Sequence, residues 1–314
     1  MTSADERRAM VLSIAAERLG GEPDEFASPL TVLASPAWRG IEADIWLTRR
    51  GSRVEVYKHY HPDTHAYVDV DAAIAAAHLA GSLGVGPAVT GTWPELGLMA
   101  MDYPGSQWRA GGLQHAVDPR VRTKVIAAKR AFQSGPLLPR DGDIFAEITA
   151  LADACRAANP ESPANLDAFM DFADRTRQAI TAAGVDRVPC HRDGSTSNLL
   201  VDPDGKVLLL DYDMAANADP YEDIGCHLVE MFEREPEARA GFEEWTGSFD
   251  EGLFQRAMAY GIVDDLRWGL IAMLMAATSP RRHLEFAKYG SWRLLRYELT
   301  SQDSAANDRL RRLS

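Results

Sequence analysis

Apolar residues recur at helical spacing over residues 4–19, with Met10, Ile14 and Leu19 among them, and predict an amphipathic helix. After Pro29 the pattern changes to short runs of β-branched and aromatic residues. Leu30 to Leu33, Ile41 to Leu47 and Val54 to Tyr57 read as strands, with Arg49-Arg50-Gly51-Ser52 turning the chain before the third. An alanine-rich helix is predicted from Val70 to Leu83 and stops at Gly84-Val85-Gly86-Pro87. A strand pair follows, Ala88 to Thr90 and Leu98 to Met101. Asp102-Tyr103-Pro104-Gly105 then reads as a hinge. Residues 106–188 carry mostly helical patterning, broken by the Gly-, Pro- and charge-rich stretch from Ser134 to Gly142. Beyond Cys226 the pattern is helical to the end. No internal repeat, heptad array or low-complexity tract interrupts it.

The stretch 189–228 differs from the rest in what it carries. His191-Arg192-Asp193 is followed at Asn198 by an amide, giving H-R-D-x-x-x-x-N, the catalytic-loop pattern of kinases. Leu199 to Val201 and Val207 to Leu210 flank an Asp202-Pro203-Asp204-Gly205 turn and predict a hairpin. Its closure sets Asn198, at the entrance, beside Asp211, at the exit. One amide oxygen and one carboxylate at the same end suit Mg2+, which prefers hard oxygen ligands and shares its shell with nucleotide phosphates. Asp193 would orient an acceptor hydroxyl and take its proton. Lys58 closes the strand Val54-Glu55-Val56-Tyr57-Lys58, where a kinase strand lysine neutralises phosphates. The following helix contains no glutamate to pair with it; Asp71 is the nearest acid and Asp69 the next. Ser35, in a loop with a single glycine, would offer a hydroxyl to phosphates. Between Asp211 and the next helix lie too few residues for an activation loop, and no A-P-E occurs, so the acceptor is expected to be small.

These motifs resemble the aminoglycoside phosphotransferase and choline/ethanolamine kinase superfamily. The resemblance rests on Cys190-His191-Arg192-Asp193, Asn198, Asp211-Tyr212-Asp213 and Asp223-Ile224-Gly225 in that order. It implies an α+β, bilobal, protein-kinase-like fold with a small antiparallel-sheet lobe over residues 1–103 and a larger helical lobe over 104–314. It implies ATP as donor, Asp193 as catalytic base, and Asn198 and Asp211 as Mg2+ ligands. Met101, Asp102 and Tyr103 would meet the adenine, and Asp223 would be structural, as a helix N-cap. Arg267-Trp268-Gly269-Leu270-Ile271 and Leu284-Glu285-Phe286-Ala287-Lys288-Tyr289 look like the choline-kinase region whose aromatics box a quaternary ammonium. Trp268, Phe286 and Tyr289 are the corresponding candidates, although Ile271 stands where a second tryptophan would be.

Composition narrows the partners. A net charge of −13 argues against nucleic acid or an anionic membrane as a main partner, and it suits a cationic acceptor. Asp213, Asp219 and Glu222, just past the metal aspartate, are candidates to line an acidic acceptor site; ordinary surface acids are the alternative. The basic cluster Arg120, Arg122, Lys124, Lys129 and Arg130 reads as a solvated helix face. Cys155, Cys190 and Cys226 form no C-x-x-C pair, the N-terminus carries charge where a signal peptide needs an apolar core, and the run Trp268 to Ala277 is too short to span a bilayer. A cytoplasmic enzyme is therefore expected, transferring phosphate to an amino alcohol of the choline or ethanolamine type. An aminoglycoside antibiotic is the second choice of acceptor. A kinase-like protein that binds nucleotide without catalysing transfer is the reading from another class.

Overall fold

The computed structural model describes residues 4–29, 41–159, 161 and 163–313. The expected strand Leu30 to Leu33 and the candidate Ser35 lie outside these residues. In chain order the elements begin with α1 (Ala4–Leu19), β1 (Glu25–Ala27), β2 (Ala43–Arg50), β3 (Arg53–Tyr60), α2 (Val70–Ser82), β4 (Val89–Trp93) and β5 (Leu98–Asp102). There follow β6 (Arg109–Ala110), α3 (Leu113–Ala116), α4 (Pro119–Gln133), α5 (Ile144–Ala158), α6 (Leu166–Ala183), β7 (Val188–Cys190), β8 (Leu199–Val201), β9 (Val207–Leu209) and β10 (Ala216–Ala218). The chain closes with α7 (Pro220–Met231), α8 (Glu235–Thr246), α9 (Glu251–Thr278), α10 (Phe286–Ser301) and α11 (Ser304–Arg311).

The first five strands form an antiparallel sheet in the order β1-β2-β3-β5-β4. Gly51 turns β2 into β3 with φ +57, a conformation a β-carbon would oppose, and the register sets Ile45 opposite Lys58. On the other side of β3, Lys58 faces Met99 of β5, so the lysine leaves the middle of the sheet, flanked on both sides. Strand β1 carries no clear alternation and was not expected from sequence; pairing to β2 stabilises it. α1 packs Val11 and Ala15 against Tyr57, Leu98 and Ala100 of the sheet. α2 starts where Asp69 accepts the backbone N–H of Ala72, so one of the two acids considered as a partner for Lys58 is a helix cap instead. The other, Asp71, is exposed.

The helical part is organised around α9. Of its 28 residues those from Phe254 to Met275 are buried on nearly every side, and the charged ones among them, Arg256, Asp264, Asp265 and Arg267, are held in ion pairs. α5, α7 and α10 surround it, and Tyr297 of α10 ties the bundle to α6 through its hydroxyl on the Phe169 carbonyl, 2.7 Å. A second core joins sheet to helices: Ala73, Ala77 and Met99 pack with Val121, Val125, Leu199 and Leu209. The hairpin β8–β9 hangs in this seam, and Leu209 N–H donates to Val85 O at 2.7 Å. No helix among the described residues is long and apolar enough to cross a membrane.

The basic cluster on α4 divides. Arg120, Lys124 and Arg130 are exposed, and Arg122 is half-buried against Glu244. Lys129 is only 2% exposed, and its role is internal.

Candidate active site

The hairpin performs the alignment its sequence predicts. Leu199 pairs with Leu209, and Leu210 N–H donates to Asn198 O at 2.8 Å, so Asn198 and Asp211 leave the ladder side by side. Asp211 has φ +67 and Arg192 φ +63, the only two non-glycine residues in the left-handed region among the described residues. Such backbone costs on the order of 1 kcal/mol or more each and persists only where surrounding contacts hold it.

Those contacts are identifiable. Asp223, one turn into α7, accepts the backbone N–H groups of His191 and Arg192 at 3.2 Å each and the Lys129 ammonium at 2.7 Å. It is not the helix N-cap; that role belongs to Asp219, which accepts from Tyr221 N–H. Burial would raise the Asp223 pKa, but Lys129 holds it below the usual carboxylate range. Lys129 also donates to Asp193 O at 2.9 Å, so one ion pair fixes both ends of the H-R-D turn. The Arg192 guanidinium, fully buried, makes a two-pronged contact with Glu147 at 2.9 and 2.8 Å and reaches Glu222 at 2.6 Å. His191 anchors the turn to the residue just past β9 through Nε2 and Leu210 O, 2.8 Å. Burial and then Lys129 push its pKa down to about 4, which keeps the ring neutral. Gly194 follows Asp193 because a β-carbon there would sit 2.0 Å from Cys226 O.

Asp193 is thereby aimed. Its Oδ1 accepts Ser195 N–H at 2.7 Å and its Oδ2 accepts Asn198 Nδ2 at 2.8 Å. Burial raises its pKa to about 7, against the Ser195 N–H and with help from Asp211 and Asp264. Lys58 donates to Asp211 Oδ1 at 2.5 Å and to Asp213 Oδ1 at 2.6 Å, and Tyr60 OH donates to the same Asp213 oxygen at 2.7 Å. Burial alone would lower the lysine's pKa; the two carboxylates hold it well above its ordinary value. The glutamate missing from α2 is thus replaced by two aspartates from beyond the hairpin.

A cavity of about 320 Å³ runs from this cluster to the hinge. Lys58, Asn198 and Asp211 line one end and Met101, Asp102 and Tyr103 the other, with Ile45, Val56, Ala77 and Leu200 between. Glu42, Trp108 and Ser197 also line it and were not singled out from sequence. Glu42 belongs to no motif, so nothing in the local sequence marks it. A second cavity of about 490 Å³ lies past Asp213, between residues 65–69, α5 and α9, with Tyr67, Met214, Glu147, Leu151 and Ile271 on its walls.

The acidic acceptor site read from sequence is not assembled. Asp213 belongs to the Lys58 cluster. Asp219 is paired with Arg256 and accepts Tyr260 OH at 2.9 Å. Glu222 lies between Arg192 and Arg267. Each is 4% exposed or less, and such burial requires the cation beside it. Nor do the three aromatics form an open box. Trp268 and Phe286 are buried in the helical core, with Arg281 over the Phe286 ring. Tyr289 alone is half-buried. Arg293 lies over its ring, and it feels the charge of Asp193.

The profile of the phosphotransferase enzyme family (APH) matches residues 34–260, well over half of the chain. The protein belongs to that family. Solved structures agree on the fold. A choline/ethanolamine kinase family protein from Mesorhizobium loti has a TM-score of 0.77 at 20% identity, covering 98% of both chains. The choline kinase LicA from Streptococcus pneumoniae has 0.73 at 16% identity, with 96% of this chain and 99% of that one covered. A spectinomycin phosphotransferase in complex with ADP and spectinomycin has 0.60 at 13% identity, with 90% and 93% covered. No curated protein sequence matches significantly. The family enzyme thus has the bilobal kinase-like fold its motifs imply, a five-stranded antiparallel sheet set on a helical lobe.

Proposed function

We propose that this phosphotransferase moves the γ-phosphate of ATP to a hydroxyl of a small molecule, with an amino alcohol of the choline or ethanolamine type as acceptor. The observation that carries the reading is the convergence of Lys58, Asn198 and Asp211 at one end of a cavity whose other end is the hinge, with Asp193 hydrogen-bonded to Asn198. Residues 1–103 serve as the nucleotide-binding lobe and 104–314 as the catalytic and acceptor-binding lobe. The adenine lies against Met101 to Tyr103. Neighbours of this fold were solved with AMP, ADP and GDP, which supports a nucleotide in this cavity.

Mg2+ fits the residues present. Asn198 and Asp211 supply hard oxygens, and Oδ2 of neighbouring Asp213 is buried with no hydrogen-bond partner among the described residues. Bound there, the metal neutralises charge on the phosphates. The protein's own groups do the rest. Asp193, held by Ser195 N–H and Asn198 Nδ2, accepts the hydroxyl proton as the acceptor oxygen attacks phosphorus. The Lys58 ammonium stabilises the developing charge on the phosphates. Positive backbone φ at Arg192 and Asp211 fixes both aspartates before substrate arrives, so reorganisation is not needed at the reaction. The choline/ethanolamine relatives support an amino alcohol as the acceptor class.

The test is ADP release with Mg2+ and ATP across amino alcohols, aminoglycosides, sugars and nucleosides, with Asp193→Asn alongside. Turnover dependent on an amino alcohol and lost in the variant supports the reading. Turnover with an aminoglycoside alone moves the acceptor class. Nucleotide binding with no turnover on any acceptor sinks the catalytic reading.

A further inference from the structure

Strand β3 carries Lys58 between two attachments to the helical lobe. Near its start, Glu55 pairs with Asp102, where the chain enters the hinge. Past its end at Tyr60 the chain forms the turn Pro62–Ala66, and Asp63 of that turn meets the connection between α9 and α10. Asp63 Oδ2 accepts the Ser279 hydroxyl at 2.6 Å and Arg281 Nε at 2.8 Å, 216 and 218 residues along the chain. Arg281 Nη1 donates to Ile41 O at 2.5 Å. Ala43 pairs with Tyr60, and His61 N–H donates to Glu42 O at 2.9 Å, so Ile41 and Asp63 flank the open end of the β2–β3 hairpin. One guanidinium therefore holds both strands. The Arg281 and Asp63 side chains are 14% and 15% exposed, so water and salt screen the pair little. The receiving side is fixed in turn: Ser279 is 1% exposed and ends α9, its N–H on Met275 O at 2.9 Å. Arg281 lies over the Phe286 ring of α10, and Ile41 is buried in the same core as Phe286 and Trp268.

We infer that Arg281 is a positioning residue for phosphoryl transfer: it clamps the open end of the β2–β3 hairpin to the helical lobe and so fixes Lys58 relative to Asp211 and Asp193. The inference rests on the phosphotransfer reading. A strand held at its hinge end alone moves most at the other end, and Lys58 lies in that half, opposite Ile45. Apolar packing along the seam between sheet and helices is non-directional, whereas the hydrogen bonds at Arg281 and Ser279 set direction as well as distance. The lysine needs that precision. An ammonium has three donors, and bonds to Asp211 and Asp213 leave one for a phosphate oxygen. A misplacement of about 1 Å can cost on the order of a hundredfold in rate. The same clamp joins the hairpin of Lys58 to α10, whose Tyr289 feels the charge of Asp193.

The experiment is a double-mutant cycle on the full chain. Arg281→Met keeps an apolar stem over Phe286 and removes the donors; Lys58→Met removes the ammonium that the clamp places. Rates are measured with Mg2+, ATP and the best acceptor of the panel, and ADP calorimetry counts the chains able to bind nucleotide. The expected result is a kcat lowered at least about tenfold by Arg281→Met, with KM for ATP changed less than kcat. In the Lys58→Met background the same change should cost less than about threefold, because its effect runs through the lysine. A general loosening of the protein would act alike in both backgrounds, so equal losses overturn the inference, as does an unchanged kcat. If Arg281→Met fails to fold, Asp63→Asn takes its place in the cycle, since it removes the charge and keeps an acceptor for Ser279. If no acceptor turns over, amide hydrogen exchange decides. Exchange at Tyr57 to Tyr60 about tenfold faster in the variant, with α9 unchanged, would leave the clamp standing while the phosphotransfer reading falls. Equal exchange in variant and wild type overturns the clamp.

Discussion

The H-R-D turn depends on one buried ion pair, and breaking it should cost both stability and catalysis. The Asp223 side chain is 0% exposed and that of Lys129 3%, with 2.7 Å between ammonium and carboxylate. Asp223→Asn keeps the shape but leaves the ammonium buried without its counter-charge. Loss of one partner of a buried pair costs about 3–5 kcal/mol. The two N–H groups of His191 and Arg192 lose a charged acceptor as well, so about 4 kcal/mol is a fair central value. At roughly 2 °C per kcal/mol for a chain of this size, Tm should fall by about 8 °C. Lys129→Met in the same protein removes the stranded charge. The double variant should then recover about 2 kcal/mol or more relative to the sum of the single changes. Urea unfolding of the four proteins, with coincidence of two optical probes as the two-state check, measures this cycle. The pH dependence has a definite sign. Asp223 is held below its ordinary pKa, so its contribution is present above the unfolded value of about 3.9 and is lost as pH falls through the folded one. The gap between wild type and Asp223→Asn should therefore close in acid. A single-variant cost under about 1 kcal/mol, or strict additivity in the cycle, would refute the claim that this pair holds the turn.

Other outcomes follow from the same geometry. Asp193, raised to about 7, must lose its proton to act as base, so kcat/KM should fall about tenfold per pH unit below that value; a flat profile between pH 5 and 7 would remove it as the base. Gly194→Ala places a β-carbon 2.0 Å from Cys226 O and must displace Asp193, and about a hundredfold loss of kcat is expected from steady-state kinetics. Arg192→Lys cannot reproduce the two-pronged contact to Glu147 together with the bond to Glu222, and chemical denaturation should show a loss of about 3 kcal/mol. Cys155, Cys190 and Cys226 are buried, and burial raises each thiol pKa, so a disulfide reagent should label none of them until the protein unfolds.

The parts of this enzyme legible in the chain are those whose physics is local. A D-P-D-G turn between two apolar runs can hardly do other than fold back, so Asn198 and Asp211 were paired by spacing alone. The alternation around Gly51 likewise set Lys58 near the end of an inner strand. Charge pairing is different, because it depends on which element arrives opposite. Lys58 found Asp211 and Asp213, more than 150 residues away, rather than the acids of the next helix; Asp69 had a nearer use as a cap. Lys129 looked like one basic residue among five on α4, yet the helix's rotation against α7 buries it on Asp223. Asp213, Asp219 and Glu222 read as a free acidic rim because sequence shows the acids and hides their arginines and lysine. Glu42 had no signal at all. Sequence therefore determined that Asn198 and Asp211 meet beside Asp193, since strand, turn and motif spacing are short-range, and its motifs implied the fold class through the family they resemble. Only the tertiary structure decided which charges cancel and which remain for a ligand, because burial and counter-ions come from residues distant in the chain.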